Sequence, residues 1–349
     1  RHFVDPFVGG GSSLLVLQPR GRITIGDIHP LLTGLYRGLA QQKTRSYLFE
    51  TMNQVAHFWD HMDNYVEVST YPQGTSALEF TYKVVWKTTL PKQISKYRDL
   101  IDRHIRSSLQ SKVSRLRTRL SELYAARGSN LDAIEIRKHL ETGLRAGVYY
   151  FFRDAVNRKI TCDEIELIAF FYFTRELCFG SMFRKNAKGL FNIPYGGLSY
   201  NRKKFTQKIG RLFSPKVFSL LSRSEILTLD FRETLNIADQ NSFVFLDPPY
   251  LSEFSEYDGT PFSKNDHLQL KSYLESFKGH FLLIVGGETN KIFADLPHFK
   301  IQFKSRYTYT ARNRNHRETE YLVVSSFPLK PIQVQILEPL ISLTDDPRS

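Results

Sequence analysis

Cysteine is nearly missing from this 349-residue chain: only Cys162 and Cys178 occur, with no CxxC spacing. That shortage excludes a disulfide framework and a cysteine-built zinc site, so no metal is expected, and it points to a reducing, cytoplasmic setting. Long apolar runs are missing too. Nothing approaches the roughly eighteen residues of a membrane span, and the opening RHFVDPF has none of the apolar core of a signal peptide. Acid is scarce relative to base, 35 residues against 48, which leaves a net charge of +13 and a pI near 9.6. An excess of that size implies a polyanionic partner. What the chain has in plenty is core material: at 41% hydrophobic and 13% aromatic content it can fold as one large domain, or as a domain with an elaborate insert.

The positive charge is segregated. Residues 87–119 carry ten basic side chains against Asp99 and Asp102, and residues 177–224 carry ten more with no acid at all. A nucleic-acid surface requires this kind of concentration. Between 94 and 123 the apolar positions Ile101, Ile105, Leu109, Val113, Leu116, Leu120 and Leu123 recur every three or four residues, which predicts an amphipathic helix with a basic outer face. A second helix follows Leu131 and runs towards Phe152, so the pair forms a helical hairpin. The pattern leaves open whether its basic face meets DNA, water or another helix.

Residues 243–257 read FVFLDPPYLSEFSEY. The apolar run 243–246 has the length and bulk of a strand buried on both faces, and it ends abruptly at Asp247, Pro248, Pro249 and Tyr250. The acid thus sits at a strand's carboxyl end, the rim where open α/β sheets bind ligands. Two prolines fix the backbone and remove two N–H donors, leaving carbonyls free to accept. One carboxylate, rigid carbonyls and an aromatic ring suit a flat substrate bearing an amine: Asp247 and the Pro248 carbonyl accept its two hydrogens while Tyr250 stacks on the ring. An ordinary turn would use some of the same residues.

The front of the chain supplies a second site. A strand over 1–5 runs into Gly9, Gly10 and Gly11, and a second strand over 22–26 ends at Asp27. A glycine-rich turn between strand and helix admits a ligand close to the backbone, and an acid at the next strand's end is placed for ribose hydroxyls. A full G-x-G-x-x-G pattern is not present, so a nucleoside without phosphates fits best.

Helices are expected over 29–62, 164–173 and 201–221, a small hairpin over 64–86, and further strands over 226–229, 281–285, 299–304 and 320–325. Two strands, a long insertion and five more strands make a seven-stranded α/β sheet. The glycine-punctuated basic loop after 177 offers Phe179, Arg184, Lys185, Asn186 and Asn192 for base-edge readout and intercalation.

These residues resemble the Dam-type (α-group, D12 class) DNA adenine-N6 methyltransferases. The resemblance rests on DPFVGGGS at 5–12, GDIHP at 26–30, NAKGLFNIPYG at 186–196, LDF at 229–231, LDPPY at 246–250 and ETEYLVV at 318–324. Their order, cofactor motif first and catalytic motif last, separates this group from other amino-methyltransferases. It implies a Rossmann-like seven-stranded methyltransferase sheet built from 1–43 and 225–330, a mainly helical DNA-recognition insert over 44–224, and a tail over 331–349. It implies S-adenosylmethionine as cofactor, held by Asp5, Pro6, Phe7, Gly9 and Gly11, by Asp27 and Ile28 at the ribose, and by Asp230 and Phe231 at the adenine. Double-stranded DNA would be the partner, met by Phe179, Arg184, Lys185, Asn192, Pro194, Arg202, Lys203 and Lys204, and a cognate restriction endonuclease is a second partner the resemblance allows. The reaction implied is methylation of a flipped adenine at N6, with Asp247, Pro248, Pro249 and Tyr250 as the catalytic set. Cytosine-N4 or RNA methylation, or a silent DNA-binding module, are the alternatives. The family's lysine- and glycine-containing segment ahead of the first motif is not found in this chain, and its Y-x-N-G stretch is poorly matched at 177–183, so the recognition sequence does not transfer.

Overall fold

The computed structural model describes residues 1–70, 81–85, 90–127, 132–181, 185–186, 188–251, 262–306 and 318–329. In chain order the elements begin with β1 (His2–Asp5), α1 (Ser12–Leu17), β2 (Arg22–Gly26), α2 (Pro30–Ala40), α3 (Gln42–Asp60), β3 (Val66–Thr70) and β4 (Thr81–Val84). Five helices follow: α4 (Arg98–Arg127), α5 (Ala133–Val156), α6 (Glu164–Leu177), α7 (Phe205–Leu212) and α8 (Pro215–Leu221). The remainder is β5 (Ser224–Leu227), α9 (Phe231–Leu235), β6 (Ser242–Leu246), α10 (Lys264–Ser276), β7 (His280–Gly286), α11 (Asn290–Phe293), β8 (Phe299–Arg306) and β9 (Glu318–Ser325). Among the described residues no helix is long and apolar enough to cross a membrane. Two compact units emerge, one of residues 1–42, 183–190 and 215–349, the other of 43–182 and 191–214. Residues 183–190 and 215–224, read from sequence as part of the insert, group with the first unit.

The first unit is built on the expected seven-stranded sheet, in the order β5-β2-β1-β6-β7-β9-β8. β1 pairs in parallel with β2 on one side and β6 on the other, β5 and β7 extend the parallel ladder, and β9 runs antiparallel to both β7 and β8. Strands buried on both faces must be apolar along their buried length, as the FV of β1 and the FLLIV of β7 are. Val4, Val244, Leu246, Phe281, Leu283 and Val324 interlock with Leu235, Leu270, Leu274 and Phe293 from the covering helices. Because the chain leaves β1 towards β2 but places β6 on the other edge, the strand order reverses between β1 and β6. That reversal opens a crevice beyond their carboxyl ends.

Several boundaries differ from the sequence reading, three of them as follows. The helix expected over 29–62 breaks at Gln41, whose backbone is extended. The one expected over 201–221 splits because Pro215 has no N–H to continue α7 and instead starts α8. β5 ends at Leu227, and the hydroxyl of the next residue, Thr228, bonds to Thr33 and Arg37.

The second unit is helical, with β3 and β4 as a small antiparallel pair. α5 and α6 each start with a capping box. Asp132 and Glu135 exchange side-chain-to-backbone hydrogen bonds at 2.7 and 3.3 Å, and Asp163 and Glu166 do so at 2.8 and 3.1 Å. Phe152 stacks on Phe170 with centroids 5.2 Å apart, and the buried Arg145 is held by Glu141 at 2.6 Å and the Trp59 carbonyl at 2.7 Å. The predicted hairpin is α4 against α5, with Ile101, Ile105, Leu109, Val113, Leu116 and Leu120 all buried. Close approach depends on Gly147, where a Cβ would lie 2.5 Å from the Ile105 Cα. Gly147→Ala is therefore expected to destabilise this unit by about 1–3 kcal/mol through forced separation of the two backbones; chemical denaturation followed by helical circular dichroism measures it, and an unchanged midpoint would refute the contact.

Candidate active site

β1 delivers Asp5 to the crevice with its carboxylate only 1% exposed. One oxygen accepts the Phe7 N–H at 3.0 Å and the other accepts the Ser13 hydroxyl. Burial pushes this carboxyl up to about 7. The Ser13 and Phe7 hydrogen bonds pull it down, and the charges of Asp247 and Asp27 push it up again. The three aspartates that the sequence placed at three strand ends thus share one electrostatic environment.

Pro6 is buried and Phe7 half-buried, and the turn they begin passes through left-handed backbone at Gly9 (φ 48°) and Gly11 (φ 77°). A Cβ on Gly11 would lie 2.8 Å from the Tyr36 hydroxyl, which itself donates to the Gly9 carbonyl at 2.7 Å. The Val8 N–H donates to the Gly26 carbonyl at 3.0 Å, anchoring the turn to β2. Asp27 follows β2 directly. Its two oxygens accept from the Gly9 N–H at 3.2 Å and the His29 N–H at 2.8 Å, which sets the carboxylate's orientation, while Ile28 beside it is 54% exposed.

Asp230 is the N-cap of α9, accepting the Arg232 N–H at 2.9 Å. The Arg232 guanidinium also donates to both Asp230 oxygens, at 2.9 and 3.0 Å, and bridges to Asp266. Phe231 is buried, stacked on Phe7 at 5.3 Å, with Arg232 4.4 Å above its ring.

At the end of β6, Asp247 accepts the Tyr250 hydroxyl at 3.0 Å and Pro248 is buried. The turn is held from two sides. His267 of α10 puts one ring nitrogen 3.0 Å from the Pro249 carbonyl and the other 3.0 Å from the Ser263 carbonyl, and the Leu251 N–H donates to the Thr289 hydroxyl at 2.8 Å. Burial lowers the His267 basicity, while the two carbonyls raise it. Tyr250 meets Tyr321 edge-on at 6.0 Å. Gly286 leaves room for both rings, since a Cβ there would be 3.1 Å from Tyr321 and 3.3 Å from Tyr250. Residues 252–257 of the central stretch lie outside the described residues.

Sequence reasoning missed Ser13, Tyr36, Arg232, His267 and Thr289. Ser13 and Arg232 stand beside motifs and were within reach. Tyr36, His267 and Thr289 act 27, 18 and 38 residues from their partners, with no local signature.

The expected recognition residues fall in different places. Phe179 is 37% exposed in the turn after α6, and its N–H donates to the Pro194 carbonyl at 2.9 Å. Asn192 and Pro194 are exposed between the buried Phe191, Ile193 and Tyr195, and this segment is fastened by the Tyr149 hydroxyl to the Ile193 carbonyl at 2.7 Å and by Asn157 to both backbone groups of Phe191. Arg202 is exposed and Lys185 half-buried; Arg184 lies outside the described residues. Lys203 is half-buried and Lys204 exposed, and each has a partner within the unit. Lys203 donates to the Glu176 carbonyl and sits 4.4 Å over Tyr200, and Lys204 donates to the Asp60 carbonyl at 2.7 Å.

Known proteins align with this arrangement. Type II methyltransferase M.CviBI of Paramecium bursaria Chlorella virus NC1A is 25% identical over 57% of this chain and 79% of its own length. Type II methyltransferase M.MjaIII of Methanocaldococcus jannaschii is 34% identical over 38% of this chain and 47% of its own. The Retron Ec67 DNA adenine methylase of Escherichia coli is 28% identical over 59% and 72%. A family model described as D12 class N6 adenine-specific DNA methyltransferase matches residues 129–314, more than half the chain, from α5 through the Asp247 turn to the far edge of the sheet. With that match, the chain belongs to the D12 class of N6 adenine-specific DNA methyltransferases.

Proposed function

We propose that the chain transfers a methyl group from S-adenosylmethionine to the N6 amine of an adenine flipped out of duplex DNA, with the sheet unit as the catalytic part and the helical unit carrying target recognition. The observation that supports this most is the fixing of Asp247, Pro248 and Tyr250 at the end of β6, next to the strand that ends in Asp5.

The residues at β1 and β2 fit the cofactor. The turn at Gly9 and Gly11 has no Cβ to obstruct a ligand, and Asp27 is oriented by two backbone N–H groups. Asp27 would hold the ribose hydroxyls, Asp5 the amino-acid part, and Asp230, Phe231, Pro6, Phe7 and Ile28 the adenine and its surroundings. When bound, the cofactor supplies a methyl group on a positively charged sulfur.

An adenine N6 in a stacked duplex is out of reach, and extrusion of the base costs a few kcal/mol. Stacking on Tyr250 offsets part of this. The amine's lone pair is delocalised into the ring and is a poor nucleophile. Asp247 and the Pro248 carbonyl, by accepting both N6 hydrogens, favour a tetrahedral nitrogen and aim it. A carboxylate has lone pairs for this even with one taken by the Tyr250 hydroxyl. On the DNA side, Phe179, Lys185, Asn192, Pro194 and Arg202 are the contacts proposed, together with Arg184. The type II names of two relatives favour a cognate restriction endonuclease as a partner, and the free thiols of Cys162 and Cys178 are in keeping with a cytoplasmic setting.

Incubation with labelled S-adenosylmethionine and duplexes of varied sequence tests the reading, and label recovered on another acceptor with none on adenine would overturn it. Asp247→Ala should reduce transfer by about a thousandfold or more while DNA affinity stays within about tenfold; an equal loss of affinity would make the residue structural. A second expectation concerns pH. Asp5 titrates at about 7, so below that value it keeps its proton and is neutral opposite the cofactor's cationic amino group. Cofactor affinity should therefore rise as pH increases through 7, with proton release on binding, and Asp5→Asn should flatten the profile; calorimetry in buffers of different ionisation heat reads both.

A further inference from the structure

The helical unit has a face that the proposed reaction does not use. α4 is 30 residues long, about 45 Å at the rise of an α-helix. Its apolar line is locked against α5 at Gly143 and Gly147, so the opposite face is presented outward in a fixed orientation. Between Asp102 and Glu122 that face has no carboxylate. Its exposed arginines lie in two rows, Arg103, Arg106 and Arg117 along one flank and Arg115 and Arg119 along the other, with serine, threonine and glutamine side chains from Ser107 to Ser121 on the ridge between them.

Arg106 is paired with Asp102 at 2.6 Å, but among the described residues no carboxylate pairs with Arg103, Arg115, Arg117 or Arg119. A solvated helix usually intersperses opposite charges at i,i+4. Here Arg115 and Arg119 stand at that spacing as like charges, which is unfavourable in isolation. The crowding is felt nearby. Half-buried Lys112 is held below its usual range by burial and then by Arg115, and on α5 burial and then Lys112 lower His139.

The chemistry of the face selects among partners. None of the large hydrophobic side chains exposed on the described surface belongs to α4, so it has no aromatic or aliphatic anchor of the kind protein interfaces are built on. Guanidinium groups interleaved with hydroxyl and amide donors match phosphate oxygens.

We propose that this face of α4 is a second DNA-contact surface, one that binds the phosphate backbone without reading sequence. It rests on the proposal that the enzyme acts on duplex DNA. From Arg103 to Arg119 the helix covers about 24 Å, the axial length of about seven base pairs.

The test is equilibrium binding of the full chain to a labelled duplex of arbitrary sequence across a salt series, comparing wild type with Arg103→Gln/Arg115→Gln/Arg117→Gln/Arg119→Gln. The quadruple variant should bind about tenfold or more weakly near 0.1 M salt, and its log affinity should fall less steeply with log salt, by about 0.9 for each phosphate that is no longer neutralised. Lys278→Gln/Lys300→Gln, two exposed charges of the sheet unit, controls for net charge, and S-adenosylmethionine binding by calorimetry should match wild type. Should the quadruple variant melt early, Arg117→Gln/Arg119→Gln gives the same comparison. A wild-type salt slope in the variants, or an equal loss per charge in the control, overturns the proposal. A wild-type chain that methylates no adenine, yet loses salt slope in the variant, would sink the reaction and leave this surface standing.

Discussion

The site depends on one piece of pairing: β1 is hydrogen-bonded in parallel on both edges, to β2 and to β6. Parallel neighbours bring their carboxyl ends to the same rim. Since β1 ends in an aspartate and β2 and β6 are each followed by one, three carboxyl groups meet beside an apolar core, and burial with the charges of the other two raises Asp5 to about 7. Such an arrangement is unfavourable for an empty crevice, and the sequence around it is shaped by the need to contain it. Ser13 and the Phe7 amide brace Asp5, the Gly9 and His29 amides brace Asp27, and Tyr250 braces Asp247.

This explains which parts of the protein were legible in the sequence. A strand that ends in an acid and a turn is a local pattern, so the seven strands, the glycine turn and the Asp-Pro-Pro-Tyr segment could all be found by reading along the chain. What holds those segments is not local. His267 and Thr289 reach the Asp247–Leu251 turn from α10 and from beyond β7, and no periodicity or spacing announces them. The break at Gln41 was hidden for a different reason: nothing in its residue type forbids a helix. The proline at 215 was visible and under-used.

Charge is where composition misleads most. Residues 177–224 contain no acid, so a sequence count assigns all ten cations to the surface. In the fold Glu176, one residue outside the block, pairs with Lys203 and Lys208, and exposed Lys204 donates to the neutral backbone carbonyl of Asp60. The Asp60 side chain also caps α7 through Phe205 and Thr206. Those lysines tie α7 to α3 and α6. The cations of α4, in a stretch that looks no more basic on paper, keep their outward positions because the helix's inner line, Ile101, Ile105, Leu109, Val113, Leu116 and Leu120, is buried. Position relative to a packed neighbour, rather than local charge density, separates the two blocks.

His267 gives the Asp247–Leu251 turn an unusual property. Both of its ring nitrogens face carbonyl oxygens, and a neutral imidazole carries a single N–H. The ring therefore satisfies Pro249 in one tautomer and Ser263 in the other, while burial discourages the doubly protonated form that would serve both. A shift of the one hydrogen between the ring nitrogens exchanges a side-chain bond to the Pro249 carbonyl for one to the Ser263 carbonyl at the start of α10, which also accepts the His267 backbone N–H.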